Sequence, residues 1–416
     1  DYLTGGLALA RAVGASYVVH EADEVSFERC PARDGTRFDS GQLEVVARAT
    51  PGHTANHLAY VLSEDGSPCA LFSGGSMLFG SVGRTDLVSK ELTEELTRAQ
   101  YRSVHRLAAE LPGTTELFPT HGFGSFCSAG RTTKSGQTTT SGGAASKGEP
   151  AAGDGTTIAE EQTTNAAFVA GSEDEFCESL IAGLSDYPSY YVHMSPANLA
   201  GPSAPDLSLP RPSEPGELRR RIDAGEWVVD MRDRKLFARS HVTGTISIEL
   251  GDRFATYLGW TIPWGTPLSL VAETREDVRD AQLELVRIGI EGLAVMAVGA
   301  PETLGAGAPA SYRRVSFAEL SAMLARSTGI VVLDVRRSDE WALGHIAGAK
   351  HIPLWEVEAR MGEIAEGEVW VHCGSGFRAS LAASLIARAG REVVQVDDDW
   401  ANAVALGLSS AGSAAY

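Results

Sequence analysis

The chain of 416 residues has few cysteines, no long apolar run and a deficit of positive charge. Its five cysteines are irregularly spaced and form no CxxC pair, which argues against a disulfide framework and favours free thiols in a reducing cytoplasm. No stretch approaches the roughly 18 apolar residues that span a bilayer, so we expect no membrane association. The net charge of −19 argues against nucleic acid as a partner, although a local nest of amides can still bind a small anion.

Breaks in composition divide the chain into three predicted domains. Residues 129–157 are rich in Gly, Ser, Thr and Ala and predict a flexible insertion, while residues 201–215 and 300–311 resemble linkers. The predicted domains are residues 1–200, 216–299 and 312–412. The chain opens without a methionine, in an apparent loop and helix, and we interpret it as a fragment that lacks its natural N-terminus.

The second and third predicted domains both alternate apolar strands with amphipathic helices, which favours parallel α/β sheets. They also look like repeats, because the segments 227–250 and 331–354 align without a gap. An aspartate, a histidine and a glycine recur at the same offsets in both segments: Asp230, His241 and Gly244, and Asp334, His345 and Gly348. A duplication is the simplest explanation.

The third domain contains the clearest chemical motif, CGSGFR, between the apolar strand 368–372 and the helical segment 379–390. Its glycines allow a tight curl in which backbone N–H groups converge at the positive end of the following helix. Such a cradle holds a cysteine as a thiolate and accepts an anion transferred to it. We predict Cys373 as the nucleophile and Arg378 as a fixed cation, with a persulfide cradle formed by Gly374, Ser375, Gly376 and Phe377.

Four residues separate Cys373 from Arg378, which makes the cradle too small for phosphate and suits a single sulfur. The upstream run DVRRSDEWALGHIAGAKHIP and this loop resemble the rhodanese family over residues 312–412. The resemblance implies a sulfurtransferase that carries a Cys373 persulfide, with Glu340 in a structural or rim position. In the middle repeat, Ala272 stands where the cysteine should be and Asp277 where the arginine should be, so we expect that domain to be inactive.

The first domain places two histidines on strand ends, His53 after a Pro-Gly turn and His121 beside two glycines, as expected for a metal site. With the runs ATPGHTANHLAY and LFSGGSMLFGSVGRTDL, they resemble the metallo-β-lactamase αββα sandwich, in its persulfide dioxygenase and hydroxyacylglutathione hydrolase branch. The fold class expected is therefore an N-terminally truncated sandwich followed by two rhodanese-like α/β domains. The resemblance implies substrate-binding roles for Arg84, Asp86 and Cys127.

The same resemblance implies one Fe(II), with Zn as the alternative, held at His53, His121 and Asp1. Two departures from the family pattern weaken this site. Gly75 stands where a metal-binding aspartate is expected, and glycine has no ligand atom. The family's His-x-His-x-Asp-His motif would end at Asp1-Tyr2, so Tyr2 stands in place of its last histidine, a ligand of the second metal. This replacement argues against a dinuclear hydrolase.

We predict from these features a sulfur-metabolism enzyme in which a persulfide dioxygenase-like domain is coupled to a rhodanese. The expected partners are small molecules, namely a persulfide or thiol, thiosulfate or sulfite, with a homodimer possible. Two alternatives stay open: a glyoxalase II-like thioester hydrolase carrying rhodanese domains, and a metal-free scaffold in which the rhodanese alone is active.

Overall fold

The computed structural model describes residues 2–121, 131–132, 138–139, 155–326 and 329–410. These residues form two compact units, the first comprising residues 3–187 with 191–203 and the second residues 188–190 with 204–410. The predicted insertion at 129–157, and the predicted site residues Asp1 and Cys127, lie largely or wholly outside the described part of the chain. Within that part, no helix has the length and apolarity needed to cross a membrane.

The first unit contains six helices and ten short strands in its described residues. In chain order they are α1 (Gly6–Val13), β1 (Val18–His20), β2 (Cys30–Ala32), β3 (Arg37–Ser40), β4 (Leu43–Ala49), β5 (Leu58–Glu64), β6 (Ser67–Gly74), α2 (Thr93–Glu110), β7 (Glu116–Pro119), β8 (Arg131–Thr132), β9 (Thr138–Thr139), β10 (Thr156–Thr157), α3 (Ile158–Thr164), α4 (Ala166–Val169), α5 (Glu173–Ala182) and α6 (Tyr191–Ala200).

The main sheet of this unit has the order β10-β7-β6-β5-β4-β3, and only the β6–β7 pair is parallel. In β5, buried residues alternate with half-buried ones, as expected for a strand that presents one face to a core. Helix α2 buries Leu96, Val104 and Leu107, which lie on one face at helical spacing. Val104 and Leu107 join buried side chains of the sheet in one apolar cluster. The loops after β4 and β7 hold the predicted metal ligands His53 and His121.

The second unit contains eight helices and thirteen strands in its described residues. They are α7 (Glu217–Asp223), β11 (Trp227–Asp230), α8 (Arg234–Arg239), β12 (His241–Val242), β13 (Ile246–Ser247), α9 (Phe254–Thr261), β14 (Leu268–Ala272), α10 (Arg275–Arg287), β15 (Met296–Val298), β16 (Pro309–Ala310), β17 (Arg313–Val315), α11 (Phe317–Leu324), β18 (Val331–Asp334), α12 (Ser338–Leu343), β19 (His345–Ile346), β20 (Lys350–His351), β21 (Val369–His372), α13 (Phe377–Arg388), β22 (Val393–Val396), α14 (Trp400–Ala405) and β23 (Ser409–Ser410).

Two parallel sheets define two lobes of this unit: the middle lobe, residues 217–310, and the C-terminal lobe, residues 313–410. Their strand orders are β13-β11-β14-β15 and β17-β22-β21-β18-β20. The central strands β11, β14 and β21 are buried at every residue. Continuous burial is typical of parallel strands covered on both faces, which explains why their sequences are uninterrupted apolar runs.

The two lobes repeat the same local geometry. In the middle lobe Arg232 bonds Asp230 and the carbonyl of Ser240, and in the C-terminal lobe Arg336 bonds Asp334 and the carbonyl of Gly344. His241 and His345 each bond the carbonyl four residues earlier through Nδ1 and stack on that residue's ring, Phe237 and Trp341 respectively. This correspondence supports the duplication inferred from the aligned sequences.

Both predicted linkers pack against the middle lobe instead of running free. Ser213 donates its N–H to the carbonyl of Met296, and Pro212 bridges the same strand. Pro309–Ala310 forms β16, which pairs with β12. Proline lacks an N–H donor but is tolerated at the edge of a sheet. A high proline content therefore does not by itself mean that a segment is an unpaired linker.

Candidate active site

Cys373 follows the last residue of β21, the strand that lies between β18 and β22 in the C-terminal sheet. The carboxyl ends of parallel strands share one edge of the sheet, which is where such folds place their reactive groups. The Cys373 side chain is buried, with 1% of the residue exposed. The strand register fixes the sulfur at the mouth of the loop that leads into α13.

The cradle around the sulfur is built from backbone amides. The Cys373 Sγ accepts hydrogen bonds from the N–H groups of Gly376, at 3.2 Å, and Ala379, at 3.4 Å. Gly376 has φ +89°, a conformation that favours glycine, and α13 begins at the next residue. The sulfur therefore sits at the positive end of a twelve-residue helix, which stabilises a negative charge on it.

Strand β22 and the segment after it fix the outer side of this loop. Trp400 donates its N–H to the carbonyl of Gly374 at 2.9 Å, and the Gln395 side chain donates to the carbonyl of Gly376 at 3.2 Å. With these two carbonyls bonded on the outer side, the loop keeps the Gly376 N–H directed at the sulfur. Of the predicted cradle residues, Gly374, Ser375 and Gly376 lie in this loop, and Phe377 is the first residue of α13. Ser375 is exposed and Phe377 is half-buried.

Arg378 forms a two-pronged ion pair with Glu340, at 2.5 and 2.8 Å. Burial alone would raise the pKa of Glu340, but the hydrogen bonds and charge of Arg378 hold that pKa below its ordinary value. The pair ties the first turn of α12 to the first turn of α13. The sequence identified the cation but not its partner, because Glu340 lies 38 residues away and was assigned only a structural or rim position.

His372 lies next to Cys373 and was not singled out by the sequence. Its side chain is fully buried, and neither ring nitrogen makes a well-aligned hydrogen bond within the described residues, although the Cys373 backbone lies near the ring and favours its protonated form. The nearest charge is the Asp334 carboxylate, 3.6 Å from Nε2. Burial lowers the pKa of His372 despite that carboxylate, so the ring is held neutral. The ring also stacks on Trp400.

The corresponding loop of the middle lobe is shorter. Val271 pairs with Asp230 as His372 pairs with Asp334, so the register places Ala272 at the position of Cys373. Only two residues separate β14 from α10, against four between β21 and α13. Thr274 and Asp277 cap α10 reciprocally. The helix amides that would face a ligand are therefore satisfied by the chain itself.

The first unit brings His53, His57 and Arg84 together. His53 Nδ1 bonds the backbone carbonyl of Arg84 at 2.8 Å, and His57 bonds Thr50 through Nδ1 and the Gly75 N–H through Nε2. His121 lies just beyond the end of β7. Burial lowers the pKa of His53 and His121 to about 4, and that of His57 to about 3. All three rings are neutral at pH 7.

The described residues of this site do not fit the expected metal. A Cβ on Gly75 would lie 2.2 Å from His53 Cδ2 and 2.6 Å from His53 Nε2, so the imidazole fills the space that an aspartate side chain would need. Asp86, the other carboxylate considered, is paired with Arg84 at 2.7 and 2.8 Å. Across the described ranges, no group of three or more His, Cys, Asp and Glu side chains could hold a metal ion.

Arg84 is almost fully buried and engaged by the protein itself. Besides Asp86, it bonds the carbonyl of Ser185 at 2.8 Å and lies over the ring of Tyr187, 4.4 Å from its centroid. These contacts are those of an internal ion pair. A substrate carboxylate, the ligand that the sequence assigned to Arg84, would have to compete with Asp86.

Comparison with known proteins finds relatives of two kinds. A rhodanese-like domain model matches residues 316–405. A hydroxyacylglutathione hydrolase of Pseudomonas entomophila is 35% identical over 126 residues, which cover 29% of this chain and 43% of that protein. The mitochondrial persulfide dioxygenase of Homo sapiens is 28% identical over 127 residues, covering 30% of this chain and 46% of that protein. The chain thus spans less than half the length of these curated relatives.

Among solved structures, a metallo-beta-lactamase from Staphylococcus aureus is similar to this chain, with a TM-score of 0.58 and 21% identity. The match covers 72% of this chain and 81% of that one. At this identity the likeness shows the fold alone. It confirms the metallo-β-lactamase fold and, with the rhodanese-like match, the mixed α/β class predicted from the sequence, while the number of rhodanese-like domains and the truncation stay predictions. The curated relatives and the rhodanese-like match confirm the family resemblance.

Proposed function

We propose that this chain, which joins a metallo-β-lactamase-fold domain to a rhodanese-like domain, is a sulfurtransferase with Cys373 as its nucleophile. The observation that carries the proposal is the pair of N–H groups directed at Sγ from the start of α13. A sulfur in that position is stabilised as an anion, first as a thiolate and then as a persulfide. Sulfur metabolism is also what the relatives of the two parts of the chain have in common.

The reaction has two displacement steps. The Cys373 thiolate attacks the sulfane sulfur of a donor, a Cys–S–S⁻ persulfide forms, and the donor's S–S bond breaks. The leaving group takes the electron pair, as sulfite if the donor is thiosulfate or as a thiolate if it is a persulfide. An acceptor thiolate, sulfite or cyanide then attacks the outer sulfur, and the Cys373 thiolate leaves. The amides of Gly376 and Ala379 stabilise the anion at both stages.

Arg378 contributes mainly through geometry in this proposal. Its charge is matched by Glu340, so the pair adds little net field, and it holds the two helices that frame the loop. The loop between Cys373 and Arg378 is too short to enclose a tetrahedral phosphate. A single sulfur is the cargo that suits it.

Replacing Cys373 with serine tests the proposal. We expect C373S to lose the transfer of sulfur from thiosulfate to cyanide, and to lose the one-sulfur mass increase after incubation with a donor. The matched control is C69S, which removes a half-buried thiol of the first unit and should leave both readouts unchanged. Turnover by C373S at the wild-type rate would refute the assignment.

For the metallo-β-lactamase-fold domain, we favour a metal-free role over the persulfide dioxygenase and thioester hydrolase alternatives. The support is steric, since the His53 ring occupies the place of the missing carboxylate beside Gly75. Metal analysis of protein purified without oxygen tests this choice. One equivalent of iron with O₂ uptake on a persulfide would establish the dioxygenase instead, and zinc with thioester turnover the hydrolase.

A further inference from the structure

The middle lobe supports one face of α13 along its whole length. Four residues of that face, spaced by three or four positions, meet the middle lobe: Phe377, Ser380, Ser384 and Arg388. The Ser380 and Ser384 hydroxyls bond Ser247, at 2.8 and 3.0 Å. At the far end, Arg388 donates to the carbonyl of Gly225 at 3.0 Å. The helix that stabilises the Cys373 sulfur is therefore held by an adjoining lobe without a cysteine loop of its own.

A buried carboxylate lies against the cradle at the other side of the loop. The Asp397 side chain is 3% exposed. A Cβ on Gly376 would lie only 1.9 Å from Asp397 Oδ1, and the Gly376 N–H is 3.2 Å from the Cys373 sulfur. One residue thus separates a fixed negative charge from the sulfur. Unless it were neutralised, that charge would repel both the thiolate and an anionic donor.

Two arginines neutralise Asp397, and they come from different lobes. Arg314 of the C-terminal lobe bonds Oδ2 at 2.8 Å, and Arg234 of the middle lobe bonds Oδ1 at 2.9 Å. Arg234 is the first residue of α8 and is anchored on its own lobe by Glu249, at 2.9 Å. The oxygen that faces Gly376 is thus the one that the middle lobe satisfies.

We propose that Arg234 is a positioning residue for the Cys373 site, acting through Asp397. Its guanidinium seats the carboxylate against Gly376 and cancels its charge, so that anions reach the sulfur. The middle lobe then has a defined electrostatic task in sulfur transfer, although it has lost its own cysteine. This inference rests on the proposed role of Cys373 and adds the source of the field around it.

The test compares two alkylating reagents of similar size, the anion iodoacetate and the uncharged iodoacetamide. In R234Q, we expect the ratio of their rate constants at Cys373 to fall roughly tenfold, because a nearby carboxylate loses one of its two cations. A role in packing alone would slow both reagents equally and leave the ratio unchanged. R234K keeps the charge and should keep most of the wild-type ratio.

Two further variants test whether Arg234 acts through Asp397. In the double variant R234Q/D397N, cation and anion are both removed, so the ratio should return to within about twofold of wild type. The control E249Q removes the outer partner of Arg234 but keeps its bond to Asp397, and its ratio should not fall. An unchanged ratio in R234Q, or a ratio in the double variant as low as in R234Q, would overturn the proposal. Alkylation requires only the thiol, so this outcome is independent of whether C373S abolishes sulfur transfer.

Discussion

At the scale of single residues, the histidine that precedes the nucleophile is a polar side chain buried among aromatic rings. The imidazole of His372 contacts Phe317 and Trp400, and its two nitrogens make no well-aligned hydrogen bond in the described residues. A buried polar group without a partner costs on the order of 1–3 kcal/mol. Its position therefore reduces the stability of the lobe around the active loop.

Substituting His372 with phenylalanine should stabilise the second unit. An apolar ring of similar shape removes the unpaired nitrogens and keeps the stacking on Trp400, so we expect a gain of about 1 kcal/mol in urea unfolding. The matched control is H241F, because His241 is equally buried but bonds the carbonyl of Phe237. That variant should lose stability, and equal effects of the two substitutions would contradict this explanation.

The same residue predicts a dependence on pH. Burial lowers the pKa of His372 below its ordinary value in the folded state, so the unfolded chain binds the proton more readily. Because protonation of His372 favours the unfolded chain, the free energy of unfolding is highest above about pH 6.5 and decreases as the pH falls below that value. The free energy of unfolding should therefore drop less between pH 7 and pH 5 in H372F than in the wild type. Parallel curves for the two proteins would show that other groups control the acid transition.

At the scale of elements, the strand–loop–helix unit around Cys373 is the part that the sequence predicted best. Two glycines between an apolar strand and an apolar-periodic helix restrict the backbone to few conformations. The structure has the strand, the loop and the helix in this order, with the helix beginning at Phe377, two residues before its predicted start. The lateral contacts of the unit could not be predicted. These contacts, made by Glu340, by Asp397 and by Ser247 with α13, join residues far apart in the sequence. A local sequence pattern does not show which distant residues meet.

Replacing Gly376 with alanine should disrupt this unit. The new methyl group would overlap Asp397 Oδ1, so we expect a loss of about 3 kcal/mol in stability and at least a tenfold loss of sulfur transfer. Gly390 offers a matched control, since it also has positive φ, at +78°, but its Cβ would meet nothing within 4 Å. G390A should cost about 1 kcal/mol and leave transfer intact. Similar losses in both variants would mean that φ alone is limiting.

Breaking the link between α12 and α13 is expected to be costly as well. E340Q leaves the guanidinium of Arg378 largely buried with a neutral partner, which should destabilise the second unit by about 3 kcal/mol. The control E363Q alters an ion pair of Arg360 whose carboxylate is 45% exposed, and such pairs contribute about 1 kcal/mol or less. Urea unfolding of both variants measures the difference, and comparable values would deny the buried pair its structural role.

At the scale of the whole molecule, the sequence predicted the class of fold and the kind of chemistry, and the comparisons confirmed both at that level. The domain boundaries, the homodimer and the site residues stay predictions. The metal site shows where pattern fails. The sequence shows that a carboxylate is missing at Gly75, but only the packing shows that the His53 ring lies against that glycine. Whether the space left by a missing side chain stays open or is occupied by another side chain depends on residues that are distant in the chain.

The net charge of −19 has a consequence for anionic donors. Long-range repulsion slows the approach of thiosulfate, and added salt screens it. We expect the second-order rate constant for thiosulfate to rise several-fold between 20 and 200 mM NaCl at low donor concentration. The rate of alkylation by uncharged iodoacetamide provides the control and should not change. A thiosulfate rate that falls with salt would show that local positive charge dominates the encounter.

The fastening of α13 to the middle lobe also sets the order in which the molecule matures. The bonds from Ser247 to Ser380 and Ser384 join residues 133 and 137 positions apart, and the bond from Arg388 to Gly225 joins residues 163 apart. Contacts between such distant residues form late in folding, because a long loop must close first. During synthesis, the middle lobe emerges from the ribosome before the cysteine does. The nucleophile therefore follows a middle lobe that has already been synthesised, and the cradle around its thiol is complete only once α13 has packed against that lobe.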